Sequence, residues 1–246
     1  FKNFLEQGYI TNNNVNVSYN KGNVSLRNSL NWTQNKGRYP NSKLDKYTYS
    51  FGADLNLDKL KMTTNLSYAK KTSPNISTNG YTSYDPMYTL LIWSSPDFNI
   101  LDYKNNYWIT KGIQQNYIYG LQPNGSYTGA SQNNPYYDRY EKTNEISRDI
   151  FNADLSMSYP ITPWLKATLR TGVDFYKEVG QLRISKGSYV ATGNTGVPGN
   201  PYTWNGTTTG GYVIGQNSGF SINSDFLLTG ERNFKKFHFD YLAGGT

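Results

Sequence analysis

The sequence predicts an all-β fold: about eight antiparallel strands of a transmembrane β-barrel segment, with long extracellular loops. Three observations carry that expectation. Apolar residues recur at every second position in segment after segment. Tight turns bring the apolar faces of consecutive segments into coincidence. Short and long connections alternate strictly along the chain.

In the first segment Val15, Val17 and Tyr19 alternate with Asn14, Asn16 and Ser18. A turn at Lys21-Gly22 leads into Val24, Leu26, Leu30 and Trp32, and a two-residue link there pairs Tyr19 with Val24 and Val17 with Leu26. Tyr47, Tyr49, Phe51, Ala53, Leu55 and Leu57 mark a third strand. After Asp58-Lys59, Leu60, Met62, Leu66 and Tyr68 mark a fourth. Folding at that link sets Leu57 against Leu60, Leu55 against Met62 and Phe51 against Leu66. Phe151, Ala153, Leu155, Met157 and Tyr159 precede a tight connection, Pro160-Ile161-Thr162-Pro163, and Leu165, Ala167, Leu169, Val173 and Phe175 follow it. Phe220, Ile222, Phe226 and Leu228 then lead through a turn near Asn233 into Phe237, Phe239 and Tyr241. Strands of roughly ten to fourteen residues result, longer than those usual in globular sheets.

Short links follow residues 20, 57, 159 and 231, and longer ones run over about 36–46, 71–145 and 178–216. Every long loop therefore leaves the same edge of the sheet, the asymmetry of outer-membrane barrels. A soluble sandwich, solenoid or lectin-like domain shares the period-two faces but does not require that asymmetry. Trp32, Tyr47 and Tyr49 collect near the long-loop end, and Tyr159 and Trp164 near the short-turn end, where interfacial girdles belong. High strand propensity of aromatic residues is the plainer reading of the same positions.

Composition removes other classes. Hydrophobic residues make up 36% and mean hydropathy is −0.70, with no run near the roughly 18 apolar residues that read as a transmembrane helix. The absence of Cys excludes disulfides, thiolate metal sites and Cys nucleophiles. The net charge of +7 comes from scattered Lys and Arg without a compact basic patch, so no nucleic-acid partner is expected. The opening Phe1-Lys2-Asn3-Phe4-Leu5 carries no signal-peptide pattern, and both ends read as cuts through a longer chain. Residues 1–246 are accordingly expected to form a partial barrel domain without its plug.

No catalytic or metal constellation is evident, so neither an enzyme nor a cofactor is expected. His238, between Phe237 and Phe239, reads as a polar strand residue facing the lumen or periplasmic rim, with no acidic cluster beside it in sequence. The Gly-rich pieces 193–199 and 206–211 lack a phosphate-loop spacing. Two constellations remain. Tyr81, Tyr84, Trp93, Phe98, Tyr103, Tyr107 and Trp108 crowd one long loop, where flat aromatic faces beside Asn and Asp suit sugar or peptide capture. Their plainer readings are a self-packed loop core or contact with a lid protein. Within that loop Asp85 is placed to cap a short helix with Pro86 first, running through Leu90, Leu91 and Trp93. The second constellation is a lumen-facing ionic cluster of Asp154, Lys166 and Arg170, in which either plausible register sets Asp154 opposite or diagonal to a cation. Rigidity of the wall is its plainer role, and contact with a plug the functional one.

Several stretches resemble the SusC/RagA-type TonB-dependent transporters of Bacteroidetes. They are Asn14-Val15-Asn16-Val17-Ser18, Asn35-Lys36-Gly37-Arg38-Tyr39-Pro40-Asn41-Ser42, Asn134-Pro135-Tyr136-Tyr137, and Arg148 to Asp174 with its Tyr-Pro-Ile-Thr-Pro-Trp-Leu connection and Arg-Thr-Gly-Val-Asp strand. The resemblance implies a barrel of about 22 strands with a plugged lumen, of which this chain supplies strands just past the first. It implies a multi-pass protein of the Gram-negative outer membrane, in contact with lipid, that imports an oligosaccharide or peptide. A SusD-like surface lipoprotein forms the lid, and TonB supplies the energy through segments outside this chain. A secreted carbohydrate-binding β-protein and a porin-like passive channel are the rival readings.

Overall fold

The structure, a computed structural model, describes residues 2–76, 86–94, 99–111, 113–114, 133–187 and 210–246. A 3-10 turn, Lys2–Phe4, precedes β1 (Tyr9–Lys21), β2 (Val24–Lys36), β3 (Lys43–Leu57) and β4 (Leu60–Ser73). The long connection after β4 holds α1 (Pro86–Trp93), α2 (Asp102–Asn105), the small strands β5 (Trp108–Thr110) and β6 (Ile113–Gln114), and α3 (Pro135–Tyr140). Then come β7 (Lys142–Thr162), β8 (Leu165–Ile184), β9 (Gly211–Phe234) and β10 (Phe237–Gly245). Eight strands form one sheet in the order β1-β2-β3-β4-β7-β8-β9-β10, with every neighbouring pair antiparallel. The links at 22–23, 58–59, 163–164 and 235–236 therefore lie at one edge, and the connections 37–42, 74–141 and 185–210 at the other, as the alternation of lengths predicts. Among the described residues no helix is long and apolar enough to cross a membrane.

Register turns the period of two into rows. Val15, Leu30, Tyr49, Tyr68, Phe151, Phe175 and Phe220 stand in one line across the wall, each directly opposite the next. These side chains have no core to enter: Val15 is 64% exposed, Phe220 66% and Ile222 56%. Along one strand the apolar face runs from Tyr47 to Leu57, and along another from Leu165 to Phe175. At about 3.4 Å per residue and a tilt of about 40°, such a run rises about 26 Å, the height of a barrel's lipid-facing band. Three hydroxyls on this face are satisfied within the sheet: Thr64 donates to the Asp154 carbonyl at 2.9 Å, and Thr171 and Ser224 pair at 2.8 Å. A spanning wall requires that, because hydrocarbon offers no partner. Aromatic contacts mark both ends of the band. Trp32 stacks on Tyr47 with centroids 5.9 Å apart, and Trp164 meets Tyr241 edge-on at 6.1 Å.

The link after β3 folds as expected, with Leu57 opposite Leu60, Leu55 opposite Met62 and Phe51 opposite Leu66. The first link differs. Its turn residues are Gly22-Asn23, so Tyr19 meets Leu26 and Lys21 meets Val24, two residues from the expected pairing. The cause is backbone handedness. Gly22 has φ 55°, and a two-residue hairpin favours glycine at its first position. A slip of two keeps every side chain on its face. The last turn is Lys235-Lys236 rather than near Asn233, with Phe234 opposite Phe237. Nor is Pro160-Ile161-Thr162-Pro163 a free connection: β7 continues to Thr162 through an irregularity after Pro160, the place a sheet tolerates a missing N–H. Finally β7, β8 and β9 reach 21, 20 and 24 residues, past the expected length, and most of the surplus projects at the long-loop edge.

Beyond that edge sits a small cap with a core of its own. Phe4, Leu90, Ile100 and Tyr136 are buried together, with Leu5, Tyr39, Met87, Tyr103 and Tyr107 packed around them.

Candidate functional site

The face opposite the apolar band is built from amides, hydroxyls and charges. Asn16, Ser29, Ser50, Ser67, Asn152, Asp174 and Ser221 form one transverse row, each opposite the next. Short polar side chains at matched height keep the wall low there and offer donors and acceptors across its width. Most fixed charges nearby are paired across strands. Arg27 meets Asp54 at 2.8 Å, and Thr63 donates to the same carboxylate at 2.9 Å.

Register sets Asp154 diagonal to Arg170, as expected of the cluster of Asp154, Lys166 and Arg170, but the ion pair forms elsewhere. All three share this face, but Arg170 pairs with Asp225 on β9 at 3.0 Å. Asp154 stands opposite Gly172 and accepts from the Asn65 amide at 2.9 Å, while Lys166 stands opposite Pro160. The reason is distance. Asp225 is the direct neighbour of Arg170 and Asp154 only a diagonal one, and direct cross-strand neighbours lie about 2–3 Å closer.

At the long-loop edge the organising element is α3. Asn134 caps it by accepting from the Tyr136 N–H at 2.9 Å, and Pro135 occupies the first turn. The Arg139 guanidinium donates to the carbonyls of Pro40 at 2.7 Å and Asn41 at 3.3 Å. The Arg139 carbonyl accepts from the amides of Asn41 at 2.9 Å and Asn75 at 3.0 Å. Just after the helix, Glu141 accepts from the Ser185 hydroxyl, and its carbonyl accepts from the Ser185 N–H at 2.9 Å. The Tyr137 hydroxyl donates to the Ser185 carbonyl. One short helix thus ties together the roots of all three long connections. Burial pushes the Asp138 carboxyl up despite the Asn133 amide at 2.7 Å, and lowers the Arg139 guanidinium. Burial also pushes the Tyr136 hydroxyl up to about 12, and among the described residues that hydroxyl has no hydrogen-bond partner.

The candidate aromatic residues divide. Tyr107 and Trp108 both donate to Glu141, at 3.1 and 3.3 Å, and Trp108 meets Tyr137 edge-on at 5.3 Å. Tyr103 packs on the cap core. These three are engaged in holding the cap together. Trp93 is the last residue of α1, which starts at Pro86 as expected. Tyr81, Tyr84, Asp85 and Phe98 lie outside the described residues. Sequence reasoning missed the knot of Asn134, Tyr137, Arg139 and Glu141. An Asn-Pro pair at a helix start was the available signal. It also missed that Glu231 stands directly opposite Asp240, two residues from His238.

Sheet order, hairpin register and the one-sided loops can now be set beside known structures. The chain matches part of the RagAB peptide importer in the "closed-closed" state over 98% of its length, with a TM-score of 0.64 at 12% identity. For the same importer in the "open-open" state the TM-score is 0.57 at 13% identity over 98%. The ferric-catecholate import receptor Fiu from E. coli K12 matches over 96%, with a TM-score of 0.51 at 12% identity. The fold is that of a TonB-dependent transporter barrel wall. The resemblance to SusC/RagA-type transporters holds at the level of fold. The chain spans 24% of the RagAB chain and 32% of Fiu, so it corresponds to a portion of such a barrel. These neighbours are importers and a receptor rather than enzymes. No family model and no curated relative matches the sequence.

Proposed function

We propose that this chain builds part of the wall and extracellular loops of a Gram-negative outer-membrane importer. The importer is TonB-dependent and takes up a bulky nutrient, an oligosaccharide or a peptide. The observation that carries the reading is the pairing of two unlike faces: an exposed apolar band about 26 Å tall backs onto a continuous polar surface. A soluble sandwich buries such a band, whereas a barrel turns it to lipid and its polar face to a wet lumen. The RagAB neighbours, which are peptide importers, support a peptide as cargo and a SusD-like lipoprotein as lid over the cap. In the full-length protein, uptake is expected to need TonB and extraction to need detergent. Water-soluble protein points instead to a secreted binding module, and TonB-independent uptake to a passive channel.

Capture in the long loop is assigned to Tyr81, Tyr84 and Trp93, because Tyr103, Tyr107 and Trp108 already serve the cap. Replacing Trp93 by Ala is expected to weaken ligand binding by about 0.5–1.5 kcal/mol, the scale of one stacking contact. Unchanged affinity together with lost lipoprotein association reassigns the loop to partner docking.

A further inference from the structure

We propose that Glu231, His238 and Asp240 form a binding site for a first-row transition dication of the Zn2+ class, at the short-turn end of the polar face. Glu231 and Asp240 stand directly opposite each other in the β9–β10 hairpin, and His238 stands opposite Asn233. Positions 231, 233, 238 and 240 share the face that carries Arg170 and Asp225, so all four side chains leave the sheet on one side. One potential ligand atom from each of Glu231, His238 and Asp240 lies within 4.8 Å of the other two.

The Asn233 side-chain oxygen lies 2.6 Å from His238 Nδ1, and an Asp240 carboxylate oxygen lies 3.0 Å from Nε2. A neutral imidazole has a single N–H. With that proton on Nδ1 and donated to Asn233, the Nε2 lone pair faces the Asp240 carboxylate, a gap that a bound cation fills. With it on Nε2, the ring donates to Asp240 and Nδ1 accepts from the Asn233 amide group, so metal binding selects the first form. A second ring proton brings one positive charge against two carboxylates. A dication bound by Nε2 and both carboxylates balances them. Lys166, diagonal to Glu231 across β8–β9, makes no ion pair with either carboxylate, while Arg232 lies over the Trp164 ring at 5.5 Å and Lys235 over the Phe234 ring at 5.7 Å. Among the described residues, no Lys or Arg makes an ion pair with Glu231 or Asp240, unlike Asp54 and Asp225 on the same face.

The donor chemistry suits the proposal. One imidazole and two carboxylates match zinc-type ions, and a ligating histidine usually gives its other N–H to an oxygen that fixes the ring, which is the place of Asn233. At bond lengths of about 2.1 Å, donors around a tetrahedral ion stand about 3.4 Å apart. Closing to that distance requires only rotation of exposed side chains. A cavity of about 500 Å³, bounded by Lys166, Thr229, Glu231 and Asp240, adjoins the site and leaves room for a completing water. This site was not expected from the sequence, because Glu231 reaches His238 only through the hairpin.

The test titrates ZnCl2 by calorimetry, and CoCl2 by visible absorption, into the full-length detergent-solubilised protein after chelation. Wild type is expected to bind one equivalent more than His238→Gln. Glu231→Gln and Asp240→Asn are expected to weaken that equivalent, and Asn233→Ala to weaken it about tenfold. Folding of each variant is checked by heat-modifiable gel mobility. Equal stoichiometry in wild type and His238→Gln overturns the proposal. So does an extra equivalent that survives both carboxylate substitutions.

Discussion

The wall and the cap use the same aromatic and aliphatic residues to opposite ends. In the wall, Val15, Phe220 and Ile222 remain open, with no described residue covering them, whereas in the cap Phe4 is 1% exposed and Leu90 3%. A large apolar side chain left open ordinarily marks an interface or a liability. Here Val15 and Phe220 stand in one unbroken apolar row across the strands while polar residues hold the alternate positions, the pattern of a wall built to face a continuous apolar medium. The cap, by contrast, meets water and must build a dry interior, from residues as far apart as Phe4 and Tyr136. Burial therefore reports stability in the cap and environment in the wall.

That contrast can be broken most directly from the cap side. Phe4→Ala is expected to remove about 3–5 kcal/mol of local stability, the usual loss for a buried phenylalanine. Proteolysis of the full-length protein should then cut within residues 86–111 while the barrel keeps its heat-modifiable mobility. Loss of the barrel as well shows that wall and cap fold as one unit.

From the wall side, Leu155→Arg or Leu169→Arg is expected to cost about 2–4 kcal/mol near the bilayer midplane, measured by urea unfolding from vesicles. The matched control is Ser67→Arg on the polar face, which should be tolerated. Ser156 serves less well, because it stands opposite Arg170 and a new arginine there adds like-charge repulsion. Equal losses on both faces make this a two-sided soluble sheet.

The smallest effect sharpens the picture of the cap interior. Tyr136→Phe removes a buried hydroxyl that has no hydrogen-bond partner among the described residues and is expected to raise cap stability by about 1 kcal/mol. Slower proteolysis of residues 86–111 is the readout. Destabilisation shows that the hydroxyl has a partner in the assembled protein.

How much of this was legible beforehand depended on whether a feature is periodic. The rows of the wall were visible because alternation repeats in every strand, and the Asp58-Lys59 link let Leu57 be paired with Leu60 at sight. The slip at Gly22 was invisible for the same reason: a pattern of period two is unchanged by a shift of two, and only backbone handedness decides it. The pairing of Arg170 with Asp225 needed the β8–β9 register, which runs through a long connection and leaves no local mark. The cap was least legible, since Phe4, Leu90, Ile100 and Tyr136 share no spacing, and α3 is too short for a helical period to show.

The knot at Arg139 has a kinetic consequence. Surface loops of this length ordinarily fluctuate independently on nanosecond to microsecond scales. Here the Pro40-Asn41 loop, the Asn75 strand end and Ser185 are all fastened to the same few residues, so their roots share a single opening coordinate. The bonds to Ser185 are made by Tyr137 and Glu141 and those to Pro40, Asn41 and Asn75 by Arg139, so the roots are coupled through the short helix and C-cap that carry all three residues. A displacement at one root is therefore expected to reach the other two through α3.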